Sequence, residues 1–263
     1  MGESEAKAAS EAKGARRTVV ITGASRGIGA ETARVLAAGD DHVVINYREK
    51  RKRAETLATE IIAAGGTASI AGADICDAAS TQALIDEVTE RHGQLDVLVL
   101  NASGGLERGA APDYAMTINR DAQVRLVRLA LPHMPAGARI VFVTSHQAHF
   151  HGRKPVPADY EPIAASKRAG EDALRAMIPE LAERGIRVLI VSGDMIDGTI
   201  IVRLLERRDP EAGTARRDQA ELPTIGEFAA AVAAAASSDA ESGTTTYVGG
   251  PDYLAGASSS VSA

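Results

Sequence analysis

The chain has 263 residues, 45% of them hydrophobic, which suffices for one large α/β domain with a sizeable core. A formal net charge of −6 argues against a nucleic-acid partner, and no apolar run reaches the roughly 20 residues that span a bilayer, so no membrane partner is expected. The single cysteine, Cys76, excludes a disulfide within the chain and favours a cytoplasmic location.

Strand-like segments alternate with helix-like segments along most of the chain. The continuous apolar runs predict strands that are buried on both faces, and their alternation with helices predicts right-handed crossovers and a parallel sheet. Seven runs are short, β-branched and apolar: Thr18–Thr22, Val43–Tyr47, Thr67–Ala71, Leu95–Leu100, Arg139–Thr144, Ile186–Val191 and Thr244–Val248.

The predicted fold class is therefore α/β, as a single doubly wound (Rossmann) domain with a seven-stranded parallel sheet flanked by helices. We place this dinucleotide-binding catalytic domain at residues 16–252. Residues 1–15 are predicted to form a disordered tail, and residues 253–263 a C-terminal tail. The polar segment 207–222 contains a proline and a glycine and is predicted to form a loop or lid.

A glycine-rich turn, Thr22–Gly29, follows the first strand and opens a helix. Its glycines allow close approach of the backbone to a pyrophosphate, and the helix N-terminus offers unpaired N–H groups. The spacing is Gly-x-x-x-Gly-x-Gly rather than the common Gly-x-Gly-x-x-Gly, but its position after the first strand predicts a dinucleotide site. The predicted cofactor contacts in the turn are Gly23, Ser25, Arg26, Gly27, Ile28 and Gly29.

The end of the second strand bears on which dinucleotide is bound. Sites for NAD(H) usually place an acidic residue here, whereas this chain has Asn46, Tyr47 and Arg48. A guanidinium can bind a phosphate through two hydrogen bonds, so Arg48, together with Arg26, predicts binding of the adenosine 2′-phosphate. The predicted cofactor is NADP(H), with Asn46 and Tyr47 also lining its site.

Several segments, in the right order, resemble the short-chain dehydrogenase/reductase family over roughly residues 16–252. The segments that carry the resemblance are Thr22–Gly29, Asp74-Ile75, Asn101–Gly104, Asn119, Ser145, Lys167 and Gly249-Gly250. The resemblance implies that Asn119, Ser145 and Lys167 are catalytic residues. It also implies a homodimer or homotetramer. Further cofactor contacts implied by the resemblance are Asp74, Ile75, Asn101, Ala102, Ser103, Lys167 and Ile196.

The segment around Lys167 departs from the family pattern. The family has a tyrosine four residues before the active lysine, whereas this chain has Ile163 there and Tyr160 seven residues before Lys167. Four and seven residues both fit one helical face, because the helical period is 3.6. The seven-residue spacing resembles the enoyl-thioester reductase branch, although the nucleotide turn of that branch differs from this one. Tyr160 is therefore the candidate for the missing tyrosine.

Two other departures affect the substrate side. Ser145 and Ile163 are 18 residues apart, where the family commonly has about a dozen, so the segment 146–159 is lengthened. Gly193-Asp194 replaces the usual Pro-Gly. His146 and His149 in the lengthened segment, together with Met195, are candidate substrate residues. A histidine titrates near neutral pH and could replace the tyrosine as proton donor. No metal site is predicted, because no carboxylate or cysteine is suitably spaced with these histidines.

Carbonyl reduction by hydride leaves an alkoxide that must be protonated. A phenol can donate the proton, and a nearby ammonium lowers its pKa from near 10, which is the role expected of Lys167. Ser145 could hydrogen-bond the substrate oxygen, and Asn119 could position a water next to Lys167. Because Pro162 pushes the residue before it out of the α region, we expect Tyr160 to lie in a loop and to reach the reacting oxygen only after substrate closes the site.

The residues support three hypotheses for function. The first is an NADPH-dependent oxidoreductase that reduces the carbonyl, ketone or oxoacyl, of a small organic or biosynthetic substrate. The second is reduction of an activated carbon–carbon double bond with the same cofactor, as the spacing of Tyr160 and Lys167 indicates. The third is a redox-silent protein that keeps the NADP site, motivated by Ile163 and Gly193-Asp194.

Overall fold

A computed structural model of the chain describes residues 16–107, 109–199, 202–203, 214, 216–218 and 221–254. The predicted tail 1–15 lies outside these residues, as does most of the loop predicted at 207–222. The tail predicted at 253–263 begins inside a terminal helical turn, Pro251–Leu254, and its remaining residues lie outside the described ranges.

The predicted seven-stranded parallel sheet is confirmed, and its strand order is β3-β2-β1-β4-β5-β6-β7. The strands are β1 Thr18–Ile21, β2 His42–Tyr47, β3 Thr67–Gly72, β4 Val97–Leu100, β5 Arg139–Ser145, β6 Arg187–Gly193 and β7 Thr245–Val248. The strand order reverses between β1 and β4, which opens a crevice at their carboxyl ends, where ligands bind in doubly wound sheets.

Helices cover both faces of the sheet. They are α1 Gly27–Ala38, α2 Arg51–Ala63, α3 Ala78–His92, α4 Tyr114–Met116, α5 Ala122–Ala130, α6 His146–His149, α7 Glu161–Ala176, α8 Ile178–Glu183, α9 Ile225–Ala235 and α10 Pro251–Leu254. A π-helical segment, Thr117–Asp121, joins α4 to α5. Within the described residues, none of the helices has both the length and the apolar character needed to cross a membrane.

Successive side chains of the central strands enter opposite cores, as expected for a strand that is buried on both faces. Val20 of β1 packs in one core with residues of α3, α5 and α7, whereas Val19 and Ile21 pack in the other core with residues of α1, α2 and α9. Full burial of each such side chain contributes about 1.5–3 kcal/mol. The two cores fix the sheet, and the sheet fixes the crevice above β1 and β4.

Candidate active site

The glycine turn after β1 has the backbone that a phosphate cradle needs. Gly23 and Gly27 adopt positive φ angles of 63° and 58°, which favour glycine. Arg26 caps α1 with extended backbone and no side-chain cap, so no cap side chain occupies the first-turn N–H groups. A Cβ at Gly29 would lie 2.6 Å from Nδ2 of Asn101. These features fit the pyrophosphate of a dinucleotide.

Two predicted cofactor residues, Asn46 and Asn101, hold the turn in place. The Oδ1 atom of Asn46 accepts a hydrogen bond from the Gly23 N–H at 3.2 Å, and its Nδ2 atom donates to carbonyls of the next strand segment. The Nδ2 atom of Asn101 donates to the Thr22 carbonyl at 2.9 Å. Their side-chain amides are engaged within the protein, so we interpret both residues as supports of the nucleotide turn.

The residues predicted to bind the adenosine part of the cofactor come from several strand ends. Tyr47 and Ile75 are buried, whereas Arg26 is exposed at the start of α1. Asp74 is half-buried and accepts a hydrogen bond from the Cys76 N–H at 2.9 Å. The exposed side chain of Arg48 donates a hydrogen bond to the hydroxyl of Tyr114 at 2.7 Å. Sequence reasoning missed Tyr114.

Ser145 and Tyr160 meet at the carboxyl end of β5. Ser145 is the last residue of β5 and the N-cap of α6, where its Oγ accepts a hydrogen bond from the Ala148 N–H at 3.3 Å. The hydroxyl of Tyr160 lies 3.3 Å from the same Oγ atom, and the Tyr160 side chain is buried. The structure therefore brings the candidate proton donor to the candidate oxygen anchor.

The prediction that Tyr160 lies in a loop is wrong. Tyr160 ends a 3₁₀ turn, Ala158–Tyr160, that runs directly into α7. Glu161 is helical, with φ −51° and ψ −47°, although it precedes Pro162. Pro162 stands in the first turn, where its missing N–H breaks no helical hydrogen bond. We infer that burial of Tyr160 outweighs the local preference, and no closure of the site is needed to bring its hydroxyl to Ser145.

Ile163 occupies the position where the family has its tyrosine, and it is buried. It forms a small apolar cluster with Ala148, Tyr160 and Ala164. Ile163 has no group that can donate a proton, and its contacts are those of a packing residue. The Tyr160 ring lies in the same cluster, so Ile163 helps to fix the phenol that faces Ser145.

Lys167 lies on α7 and its side chain is half-buried. Burial lowers the pKa of its ammonium from 10.5 to about 8. The described residues include no hydrogen-bond or ion-pair partner for this ammonium, so its charge is not already committed to another side chain.

Asn119 connects the segment after β4 to α7. It lies in the π-helical segment, and its Nδ2 atom donates to the Gly104 carbonyl and to the Ser166 hydroxyl, both at 3.0 Å. Its Oδ1 atom is buried and has no hydrogen-bond partner within the described part of the chain. Ser166, which sequence reasoning missed, directly precedes Lys167, so Asn119 fixes the part of α7 that carries the lysine.

Gly170 allows α7 to pack closely on the π-helical segment, because a Cβ there would overlap the Asn119 carbonyl oxygen. We expect Gly170→Ala to destabilise the protein by about 1–3 kcal/mol, the usual range for overpacking, although alanine gains about 1 kcal/mol of helix propensity. Chemical denaturation measures the change, with Ala169→Gly at the preceding residue of α7 as the control for helix propensity. A more stable Gly170→Ala variant would contradict the close contact.

His146 and His149, predicted as substrate residues or proton donors, have both ring nitrogens engaged within the protein. His146 is buried; its Nδ1 lies 2.8 Å from the Ser192 hydroxyl and its Nε2 3.0 Å from the Gly249 carbonyl. Burial lowers the pKa of His146. His149 binds the buried carboxylate of Glu171 at 2.9 Å and the Tyr247 hydroxyl at 2.9 Å. A proton-donor role would require either ring to break a hydrogen bond.

The segment after β6 contains the unusual Gly193-Asp194. Asp194 is buried and forms an ion pair with Arg216, whose Nη2 lies 2.5 Å from Oδ2. A Cβ at Gly193 would collide with the ring of Phe228, so this position admits only glycine. Met195 is half-buried. Ile196, predicted to contact the cofactor, packs in the core that contains Val19 and Ile21 of β1. No sequence signal links Asp194 to Arg216, which is 22 residues away.

Comparisons with known proteins agree with this fold. A family profile described as short chain dehydrogenase matches residues 17–209. The 1-cyclohexenylcarbonyl-CoA reductase of Streptomyces collinus is 32% identical over 227 residues, which cover 83% of this chain and 79% of that protein.

Solved structures show the same likeness. A short-chain dehydrogenase from Burkholderia cenocepacia in complex with NADP is 30% identical with a TM-score of 0.74, and the match covers 89% of this chain and 96% of that chain. The angucycline C-6 ketoreductase LanV with bound NADP is 29% identical with a TM-score of 0.73, covering 89% of this chain and 95% of that chain. With the profile match over most of its length, the chain belongs to the short-chain dehydrogenase family of oxidoreductases.

Proposed function

We propose that the protein is an NADPH-dependent reductase of ketone or oxoacyl carbonyls on small organic or biosynthetic substrates. The observation that carries the proposal is the 3.3 Å approach of the Tyr160 hydroxyl to Ser145 at the end of β5, with Lys167 on α7, the helix that directly follows Tyr160. Two neighbouring structures contain NADP, and one of them is a ketoreductase, which supports the cofactor and the reaction class.

The proposed chemistry divides between the cofactor and the side chains. When bound, reduced nicotinamide supplies the hydride. Ser145 hydrogen-bonds the carbonyl oxygen of the substrate, and Tyr160 donates its phenolic proton to that oxygen as negative charge develops. Burial raises the pKa of Tyr160, while the Ser145 hydrogen bond lowers it in part. The phenol is therefore protonated at neutral pH, but its raised pKa makes it a weak acid unless nearby positive charge stabilises the phenolate.

Lys167 would supply positive charge where it is needed. Lys167 lies seven residues after Tyr160, a separation that fits one face of a helix. An ammonium near the phenol stabilises the phenolate that remains after proton transfer. The same ammonium can bind the hydroxyls of the nicotinamide ribose. Asn119 holds Ser166, and thereby this part of α7, against the segment after β4.

The choice of NADP(H) is tested at Arg48. We expect Arg48→Asp to weaken NADPH binding by about 1.5–3 kcal/mol, the scale of a hydrogen bond to a charged group, and to leave NADH binding unchanged. Titration of both dinucleotides against both proteins measures this, and Arg184→Asp, an exposed arginine at the C-terminal end of α8, is the control. Equal affinity of the unmodified protein for NADH and NADPH would exclude the assignment.

A second candidate function is reduction of an activated carbon–carbon double bond. The seven-residue spacing of Tyr160 and Lys167 favours it. The likeness to a 1-cyclohexenylcarbonyl-CoA reductase points in the same direction. The glycine turn, Thr22–Gly29, resembles the carbonyl-reducing members instead, and for this reason we place carbonyl reduction first.

One assay separates these functions from the redox-silent alternative. NADPH oxidation is followed at 340 nm with matched pairs of a saturated ketone and the corresponding enone, and products are identified by mass spectrometry. Carbonyl reduction predicts alcohol from both members of a pair, while double-bond reduction predicts saturated ketone from the enone only. NADPH binding without oxidation across the panel identifies a redox-silent protein. The cytoplasmic location of the protein and its assembly into a homodimer or homotetramer remain predictions from the sequence.

A further inference from the structure

The contact between Arg48 and Tyr114 joins the two sides of the nucleotide crevice. Arg48 follows β2, and Nη1 of its guanidinium donates a hydrogen bond to the Tyr114 hydroxyl at 2.7 Å. Tyr114 begins α4, which follows β4 along the chain. In the sheet, β1 lies between β2 and β4, and neighbouring strands are about 4.8 Å apart. The contact therefore links the segments on either side of the strand that leads into the glycine turn.

Tyr114 is held more firmly than the arginine that it contacts. Its half-buried ring packs against the core cluster that contains Val20 of β1. The ring also lies on the backbone of Gly104, where an added Cβ would come within 2.9 Å of Cε1. Arg48 is a long side chain with 44% of its surface exposed, and such a side chain loses much rotamer freedom when it is ordered. The packed ring therefore holds the Tyr114 hydroxyl in place as a hydrogen-bond acceptor for the guanidinium of Arg48.

Two of the three guanidinium nitrogens of Arg48 already contact protein groups. Nη1 binds Tyr114, and Nε lies 3.2 Å from the Glu49 carboxylate. Among the described residues, no hydrogen-bond or ion-pair partner is assigned to Nη2. A planar guanidinium fixed at two of its nitrogens presents the third in a defined direction.

We propose that Tyr114 is a positioning residue for cofactor choice, whose hydroxyl holds Arg48 beside the crevice with Nη2 as the donor to the adenosine 2′-phosphate. The inference rests on the proposed use of NADP(H). Because NADH has no 2′-phosphate, removal of the Tyr114 hydroxyl affects NADPH alone. Its effect also requires Arg48, because the hydroxyl acts through the guanidinium.

The test is a double-mutant cycle on cofactor binding. NADPH and NADH are titrated by fluorescence against the unmodified protein, Tyr114→Phe, Arg48→Ala and the double variant. We expect Tyr114→Phe to weaken NADPH about tenfold, which corresponds to about 1.4 kcal/mol, and to leave NADH within about twofold. In the Arg48→Ala background, the same change should have no further effect. Tyr247→Phe, which also removes a hydrogen-bonded hydroxyl, is the control and should bind both dinucleotides normally.

Four other results of these titrations would contradict the proposed role of Tyr114 or the proposed cofactor choice. Equal weakening of NADPH and NADH in Tyr114→Phe assigns the residue to general packing of the crevice. A full effect of Tyr114→Phe in the Arg48→Ala background removes the link between the two side chains. Unchanged NADPH affinity in Tyr114→Phe overturns the role of Tyr114 while the NADP(H) preference stands. If the unmodified protein binds both dinucleotides equally, the proposed cofactor choice itself fails.

Discussion

Tyr160→Phe is expected to reduce turnover by about 100-fold or more, the usual contribution of a general acid. The substitution keeps the ring, which packs with Ile163 and Ala164, and removes only the hydroxyl that faces Ser145. Folding and NADPH affinity should therefore be unchanged, since the loss is confined to proton transfer. Steady-state kinetics with the best ketone of the panel, together with an NADPH titration, measure both quantities.

A matched control and a rival acid complete this experiment. Tyr247→Phe removes a hydroxyl that binds His149 at the far edge of the sheet, and it should retain normal turnover. If Tyr160→Phe keeps near-normal turnover while His146→Gln or His149→Gln loses it, the proton donor is a histidine. That result would require a ring nitrogen to leave its present partner in the catalytic complex.

Lys167→Ala is expected to abolish measurable turnover and to weaken NADPH binding. The ammonium has two proposed tasks, because it stabilises the phenolate of Tyr160 and binds the nicotinamide ribose. Arg184→Ala, which removes an exposed cation at the C-terminal end of α8, should change neither quantity. Turnover that survives in Lys167→Ala would remove Lys167 from the mechanism.

The pH dependence of cofactor binding checks the same residue without loss of its side chain. Since burial lowers the pKa of Lys167 to about 8, the ammonium is fully charged well below pH 8 and is lost as the pH rises through that value. We expect NADPH affinity to fall as the pH rises above about pH 8, relative to its value at pH 7, where the 2′-phosphate is already largely ionised. Lys167→Arg keeps its charge throughout this range and should show no such fall, because arginine stays protonated.

Most of the sheet could be predicted from sequence because its strands are continuous apolar runs. The fourth strand starts two residues later than predicted, at Val97 rather than Leu95. Leu95 is buried, so its apolar side chain resembles a strand residue, but its N–H donates to the His133 carbonyl instead of pairing in the sheet. Hydrophobic pattern alone does not distinguish these two ways of burying a leucine.

The candidate site could be predicted only where its residues follow a local motif. The glycine turn is recognisable from its position after the first strand, and Lys167 from the resemblance of its segment to the family pattern. The position of Tyr160 depends on burial of its ring, which competes with the local rule for the residue before a proline. Tyr114 lies 66 residues from Arg48 along the chain, and only the order of the strands brings the two together. Long-range contacts of this kind leave no periodic or spacing signal.

The most direct test of carbonyl reduction follows the hydride itself. The protein is incubated with NADPH deuterated on either face of the nicotinamide C4 carbon and with each ketone of the panel, and products are examined by mass spectrometry and NMR. The account predicts deuterium on the carbinol carbon of the alcohol from one of the two labelled cofactors, with strong loss of label transfer in Tyr160→Phe and Lys167→Ala. Tight NADPH binding without transfer of deuterium to any ketone would contradict it.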